Sequence, residues 1–305
     1  MSLLARISPH NDERSARLAG IGLMLLSVSM FSFGDALGKF MVATYAVGQL
    51  LWLRACAALI VLAPAIWRHR ASFARLERPW LQLLRVLLST LEVAAFFLAT
   101  VYLPLADVVT CYLACPIFVT ALSAIVLRER VGWRRWSAIL VGFTGVVIAL
   151  HPSAQTVSWP AMIALSGSLS FSILMLVTRS LRATPDIVMA SSQFIGTFLL
   201  GVLMSPFGWV TPSSGSLALF AAAGIISVSA LLCVNRSLKL APASVVVPYQ
   251  YSMIVWAIIF GIIVFGDMPS PATIIGAAII IGAGLYIFLR ERSLGREERV
   301  VSPPA

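Results

Sequence analysis

The sequence predicts an all-α integral membrane protein in which ten transmembrane helices form two inverted five-helix repeats. Three observations support this prediction: long apolar runs, basic residues on alternate connections, and a motif that recurs in the second half of the chain. Of the 305 residues, 60% are apolar and 11% are charged, and the mean hydropathy is +0.96. A soluble domain carries about 25% charged residues, so this composition excludes both a soluble enzyme and a disordered chain.

Ten apolar runs are long enough to cross the hydrocarbon core of a bilayer as helices, which takes about 20 residues each. Prolines stand at the edges of several runs, among them Pro79, Pro104 and Pro152. At these positions a helix can begin or end without losing an internal hydrogen bond. The runs are 18–40, 45–66, 80–101, 104–127, 133–151, 158–179, 187–205, 216–236, 242–265 and 271–289.

The positions of the basic residues predict which side of the membrane each connection faces. They concentrate before the first run, in every second connection and after the last run, and the intervening connections contain none. Cytoplasmic connections carry the excess of lysine and arginine, so both termini are predicted to be cytoplasmic. The residues concerned are Arg6, Arg14, Arg17, Arg68, Arg70, Arg75, Arg78, Arg128, Arg130, Arg134, Arg135, Arg179, Arg182, Arg236, Lys239, Arg290, Arg292, Arg296 and Arg299.

The charge and the cysteines indicate no further class of site. The net charge of +10 follows from basic residues on one side of a membrane, so it does not indicate a nucleic-acid partner. Cys56, Cys111, Cys115 and Cys233 all lie in apolar runs and are expected to be small buried hydrophobic residues. No complete phosphate-binding loop or hydrolase motif occurs. The sequence therefore predicts no enzyme activity, no cofactor and no metal site.

A motif around the fourth and fifth runs recurs around the ninth and tenth, about 137 to 139 residues later. The first copy has 106–109 (Ala-Asp-Val-Val), Glu129 and Gly145, and the second has 243–246 (Ala-Ser-Val-Val), Asp267 and Gly284. Each copy contains five spans, an odd number, so the second copy enters the membrane from the opposite side. Inverted repeats of this kind are typical of secondary transporters, whose substrate site lies between the two halves.

These features resemble a known family. The five-plus-five arrangement, the acidic residue ending the fourth and ninth runs and the glycine-rich fifth and tenth runs are similar to the drug/metabolite transporter superfamily, in its ten-helix branch with two EamA domains. The resemblance is carried most specifically by residues 32–39, 103–107, 142–152 and 248–251. The short Asp35-x-x-x-Lys39 stretch is similar to members that take up riboflavin or S-adenosylmethionine, riboflavin transporters above all.

The resemblance and the runs together divide the chain into four parts. Residues 1–17 are expected to be a cytoplasmic N-terminal segment, and residues 18–151 the first five-helix EamA repeat. Residues 158–290 are expected to be the second EamA repeat, and residues 291–305 a cytoplasmic tail.

Four charged residues lie well inside apolar runs: Asp35, Lys39, Arg54 and Glu92. Charges at membrane depth are costly and usually functional, and these four sum to zero, which favours mutual pairing around a polar cavity. At about 1.5 Å per residue, Glu92 lies about 18 Å in from Trp80, near the middle of the membrane. We expect these residues to bind substrate or to couple its transport. The alternative is a set of ion pairs that only hold the helices in register.

The ninth run adds Tyr249, Gln250 and Tyr251 after Pro248. Tyrosine rings and an amide that both donates and accepts suit an aromatic ligand, so these three are also predicted to contact substrate. The alternative is helix packing with a kink at the proline. The serine- and glycine-rich residues 166–172 of the sixth run favour close helix contact.

The favoured function is a secondary carrier that moves a small organic metabolite across the bacterial inner membrane by alternating access. The resemblance makes riboflavin uptake the first choice. An amino-acid or drug exporter and an S-adenosylmethionine uptake carrier are alternatives on the same fold. The repeat argues against a non-transporting membrane enzyme or receptor. The expected partners are the lipid bilayer and the substrate, with no nucleic acid, and a homodimer is left open.

The topology gives a first prediction. A cysteine placed at Ala46 should react with a membrane-impermeant maleimide added to intact cells, because the connection there is predicted to face outward. A cysteine placed at Arg75 or Arg182 should react only after the cells are opened. Labelling of either arginine position in intact cells would contradict the predicted orientation.

Overall fold

The structure is a computed structural model that describes residues 9–74, 78–126, 133–150, 158–181, 184–240 and 247–301. Every regular element within these ranges is helical. The first half contains α1 (Pro9–Val42), α2 (Val47–Arg68), the short α3 (Arg70–Ala74), α4 (Pro79–Tyr102), α5 (Leu105–Tyr112), α6 (Cys115–Val126) and α7 (Trp133–Leu150). The second half contains α8 (Trp159–Ser180), α9 (Asp186–Met204), α10 (Ser214–Leu240), a 3₁₀ segment (Val247–Ser252), α11 (Met253–Phe260), a π-helical turn (Gly261–Phe265) and α12 (Pro271–Val301).

The helices account for all ten predicted spans. Six of them, α1, α2, α4, α8, α9 and α10, are long and apolar enough to cross a membrane. Shorter apolar helical stretches occupy the other four spans: Leu105–Val119, Trp136–Ala149, Tyr249–Phe265 and Pro271–Tyr286. The prediction of an all-helical membrane protein is therefore confirmed.

The fourth span is interrupted, and so is the ninth, its counterpart in the second repeat. The fourth breaks at Leu113 and Ala114, between α5 and α6. Pro116 stands at the second position of α6, and a proline has no backbone N–H to continue the helix that precedes it. The described part of the ninth span begins as the 3₁₀ segment, in which Pro248 takes the second position. Broken helices at corresponding positions of two inverted repeats are found where transporters bind their substrates.

The end of the ninth span contains one extra residue. Ala106 and Ala243 are 137 positions apart, whereas Glu129 and Asp267 are 138 apart. The π-helical turn lies between the two points, and a π turn accommodates a single inserted residue in a helix. Gly266 then ends the span with a left-handed backbone, φ 68°, which glycine adopts without steric cost.

The helix packing has the symmetry of an inverted repeat. α1 packs along α10, and the counterparts of these two helices, α8 and α4, pack along each other in the same way. α2 packs on its own counterpart α9, and α7 on its counterpart α12. Exchange of the two repeats therefore reproduces the contacts, as a two-fold axis between them requires.

Close contact between α2 and α9 depends on a glycine. A Cβ atom at Gly201 of α9 would collide with the backbone of Trp52 in α2. Small residues let membrane helices approach this closely, and van der Waals packing then replaces the hydrophobic effect that water would supply. The contact between the repeats thus requires glycine at position 201.

The Gly201→Ala variant should be less stable than the parent by about 1–3 kcal/mol, because the added methyl group overpacks a backbone contact. Thermal unfolding in detergent should show this as a fall of several degrees in Tm. Gly22→Ala is the control, since a Cβ atom there meets nothing within 4 Å and alanine favours a helix. Equal melting temperatures for the two variants would contradict the packing argument.

Candidate functional site

Three of the four charged residues predicted from the apolar runs lie near one another in the interior. Asp35 of α1, Arg54 of α2 and Glu92 of α4 interact electrostatically with one another, and we call them the central cluster. Arg54 is buried, with 7% of its surface exposed. Asp35 and Glu92 lie deep among the helices and still keep accessible surface. The two carboxylate residues are therefore less completely covered than Arg54.

Arg54 is held without a direct ion pair. Within the part of the chain that the structure describes, no carboxylate oxygen of Asp35 or Glu92 lies within 4 Å of its guanidinium nitrogens, and its Nε has no hydrogen-bond partner. Its guanidinium carbon instead lies 4.8 Å from the ring centre of Phe97, a cation–π contact. A buried donor without a partner costs free energy, and a bound polar molecule would recover it.

Phe97 keeps its place because α1 carries glycine opposite it. A Cβ atom at Gly38 would overlap the Phe97 ring. Phe97 also packs edge-to-face on Phe96, at a centroid distance of 5.3 Å. The Phe97 ring, which Arg54 contacts, is therefore held between Gly38 and Phe96.

Tyr112 joins this site, although it was not predicted. Its hydroxyl donates to the backbone carbonyl of Glu92 at 3.1 Å, and its ring lies 5.2 Å from Phe96 and 6.5 Å from Phe171 of α8. Tyr112 is the last residue of α5, beside the break in the fourth span. The repeat held a signal for it, since Tyr112 and Tyr249 are 137 positions apart, like Ala106 and Ala243.

Gly167 of α8 leaves room for the Tyr112 hydroxyl where α8 approaches α5. A Cβ atom at Gly167 would collide with the Tyr112 hydroxyl. Nearby, Ser172 donates to the carbonyl of Ser168 at 2.7 Å and lies 3.3 Å from that of Cys115. The small residues of the sixth span thus bring the second repeat against the aromatic side of the site.

Lys39 lies apart from the central cluster. Its ammonium forms an ion pair with Asp267 at 2.6 Å and lies 4.6 Å from the ring centre of Phe265. Asp267 follows the left-handed Gly266, and its N–H donates to the carbonyl of Gly261 at 3.0 Å. The prediction that all four charges pair with one another is therefore wrong for Lys39. Asp35, Arg54 and Glu92 lie together, and Lys39 instead forms an ion pair with Asp267 of the second repeat.

The structure does not bring the tyrosines of the ninth span to the central cluster. Tyr249, which is 37% exposed, and Gln250 lie on the 3₁₀ segment, where the described part of the span starts. Tyr251 packs with its hydroxyl against Gly284 of α12. Among the described residues, none of the three has a hydrogen bond or ring contact with the cluster. Their predicted contact with substrate stays a prediction.

The described residues also hold no group of three or more His, Cys, Asp or Glu side chains placed to bind a metal ion. What the site offers is two carboxylates, one guanidinium, a tyrosine and phenylalanine rings among apolar helices. Such a site can bind a small molecule that carries both charges and a flat ring.

A helical membrane fold of two inverted repeats, with charged groups enclosed between them, defines a membrane transport protein. The sequence matches the EamA-like transporter family twice, over residues 18–150 and over residues 158–289. The chain belongs to the EamA-like transporter family. It is therefore a multi-pass transporter and not an enzyme, as the sequence predicted.

Several relatives resemble the chain over most of its length. It is 26% identical over 285 residues to the S-adenosylmethionine uptake transporter of Rickettsia felis, which covers 92% of this chain and 96% of that protein. It is 28% identical over 284 residues to the riboflavin transporter of Rhizobium johnstonii, covering 92% and 94%. The pseudopaline exporter of Pseudomonas aeruginosa is 24% identical over 270 residues, covering 87% and 94%.

A solved crystal structure has the same fold. It superposes with a TM-score of 0.60, covers 92% of this chain and 99% of its own, and shares 20% sequence identity.

Proposed function

We propose that this protein is a secondary carrier for a small organic metabolite that combines a flat aromatic ring with an excess of positive charge. S-adenosylmethionine is the first candidate. The observation that carries the proposal is the composition of the central cluster, two carboxylates and one guanidinium. Lys39 does not balance this excess, because it pairs with Asp267.

The charges of S-adenosylmethionine complement those of the central cluster. The molecule has a sulfonium and an ammonium, which suit the carboxylates of Asp35 and Glu92, and one carboxylate, which suits the guanidinium of Arg54. Its adenine ring suits the aromatic side of the site, where Tyr112 and Phe171 are half-buried. The similarity to the S-adenosylmethionine uptake transporter of R. felis also supports this candidate.

Riboflavin is the second candidate, supported by the R. johnstonii relative and by the Asp35-x-x-x-Lys39 stretch. Its isoalloxazine ring suits the same aromatic side, but it is neutral, so a proton or other cation would have to balance the cluster. An amino acid offers one ammonium and one carboxylate, which also leaves one carboxylate of the cluster without a partner. The charge balance therefore favours S-adenosylmethionine over both.

We further propose that the carrier lies in the bacterial inner membrane with both termini in the cytoplasm. The basic residues on alternate connections support this orientation. The two repeats would rock against each other about the central cluster and expose it to each side in turn. The inverted packing of the helices supports this mode of alternating access.

Proteoliposomes that contain the purified protein should take up labelled S-adenosylmethionine. S-adenosylhomocysteine, which lacks the methyl group and the sulfonium charge, should compete at least about tenfold more weakly, since loss of one ion pair in a dry site costs about 1.4 kcal/mol or more. Uptake of riboflavin without S-adenosylmethionine would instead support the second candidate. No uptake of either would overturn both.

Asp35→Asn and Glu92→Gln keep the shape of each side chain and remove its charge. Each should lower uptake at least about tenfold, with normal amounts of folded protein in the membrane. Asp186→Asn, at the first residue of α9 and outside the cluster, is the matched control and should transport like the parent. If both cluster variants also transport like the parent, the cluster has a structural role only.

A further inference from the structure

One face of α4 carries polar side chains from its first turn to the central cluster. These are Gln82, Arg85, Ser89 and Glu92. They follow one another at intervals of three or four residues, the spacing that places side chains on one helix face. Gln82, Arg85 and Ser89 are buried, at 5%, 6% and 0% exposure. The stretch from Gln82 to Glu92 covers about 15 Å. We call it the polar face of α4.

Arg85 binds the second repeat through neutral groups. Its guanidinium donates to the carbonyl of Met189 at 2.9 Å and to the hydroxyl of Thr178 at 3.2 Å, with the Gln193 side-chain oxygen at 3.5 Å. No carboxylate of a described residue forms an ion pair with it. Charged side chains at membrane depth usually pair with an opposite charge. Arg85 is thus a buried cation whose partners are only polar.

The contacts beside Arg85 are also incomplete. Gln82 donates to the hydroxyl of Ser192 at 2.7 Å, but its side-chain oxygen has no partner, and neither has the hydroxyl of Thr90, which faces Gly196 of α9. Buried polar atoms without partners are costly, and water would satisfy them.

The other end of the interface between the repeats is satisfied. Gln49 of α2 donates to the carbonyl of Val210 at 2.6 Å and accepts from its N–H at 3.2 Å. Lys39 has its ion pair with Asp267. The two ends therefore differ. Gln49 and Lys39 have partners at one end, whereas at the end where α4 starts Arg85 has only neutral partners and the side-chain oxygen of Gln82 has none.

We propose that the polar face of α4 lines half of the translocation path, from the central cluster to the side of the membrane where α4 starts. That side is the cytoplasm in the proposed topology. When the repeats separate at this end, water reaches Gln82, Arg85 and Ser89. Arg85 then gives up its neutral partners and binds the negatively charged group of the substrate. This inference rests on the proposed function, because it assigns a path to the same carrier.

The path can be tested by thiol labelling, which requires no substrate and no transport activity. Ser89→Cys and Leu87→Cys are made in a background without native cysteines and placed in membrane vesicles. The reagent is a methanethiosulfonate that carries a sulfonate, added on the side where a cysteine at Arg75 reacts. Leu87, 51% exposed on the outer surface of the same helix, is the matched control, because a thiol in lipid does not form the reactive thiolate. The background replaces Cys56, Cys111, Cys115 and Cys233 by alanine.

Ser89→Cys should react at least about tenfold faster than Leu87→Cys, although Ser89 is completely buried in the structure described here. The reagent with a sulfonate should also react faster with Ser89→Cys than a reagent of similar size that carries a trimethylammonium, because a nearby cation raises the local concentration of anions. Adding Arg85→Gln should reduce this preference several-fold, and adding Arg85→Lys should retain it.

Equal, slow labelling of Ser89→Cys and Leu87→Cys would overturn the path. A charge preference that Arg85→Gln leaves unchanged would overturn the role of Arg85. If labelling behaves as expected and S-adenosylmethionine and riboflavin are not transported, the path stands and only the proposed substrates fail.

Discussion

The hydrocarbon core of a bilayer supplies no hydrogen bonds and no counter-charges, and the rest of this structure follows from that constraint. Backbone groups must be satisfied within the chain, so each span is helical. The fourth span departs from a regular helix where protein surrounds it: Leu113 and Ala114, at its break, are 6% and 1% exposed. Irregular backbone at this depth is tolerated only when it is buried in protein or borders a cavity, so the break marks the interior of the transporter.

The two repeats are symmetric in their backbone and asymmetric in their chemistry. Asp35, Arg54 and Glu92 all come from the first repeat. By contrast, residues 187–235, which cover α9 after its first residue Asp186 and most of α10, contain no charged residue. The second repeat contributes Phe171, small residues and neutral hydrogen-bond partners instead. A symmetric scaffold gives two equivalent ways of rocking. Because the charges come from one repeat, the same charged residues would bind substrate in the inward-facing and the outward-facing state while the second repeat moves relative to them.

Much of this protein could be predicted from the sequence, because lipid acts on each segment separately. Hydropathy located the spans, whereas the orientation inferred from the alternation of arginines stays a prediction. The cost of a charge in lipid singles out Asp35, Arg54 and Glu92, which the structure places near one another. The break in the fourth span was less accessible, since a proline next to a break and a proline in a continuous kinked helix look alike in sequence.

The sequence by itself therefore determined which segments enter the membrane and which charges lie within them. The tertiary structure decided which residues those charges contact. Lys39 was expected near Asp35, one turn away on the same helix, but it binds Asp267, 228 positions along the chain. The Tyr112 hydroxyl donates to the backbone carbonyl of Glu92. It fits there because Gly167 of α8, in the other repeat, has no Cβ atom to collide with it. Periodicity describes one helix at a time, whereas partners depend on where helices of the two repeats cross, and that is settled only when the whole bundle packs.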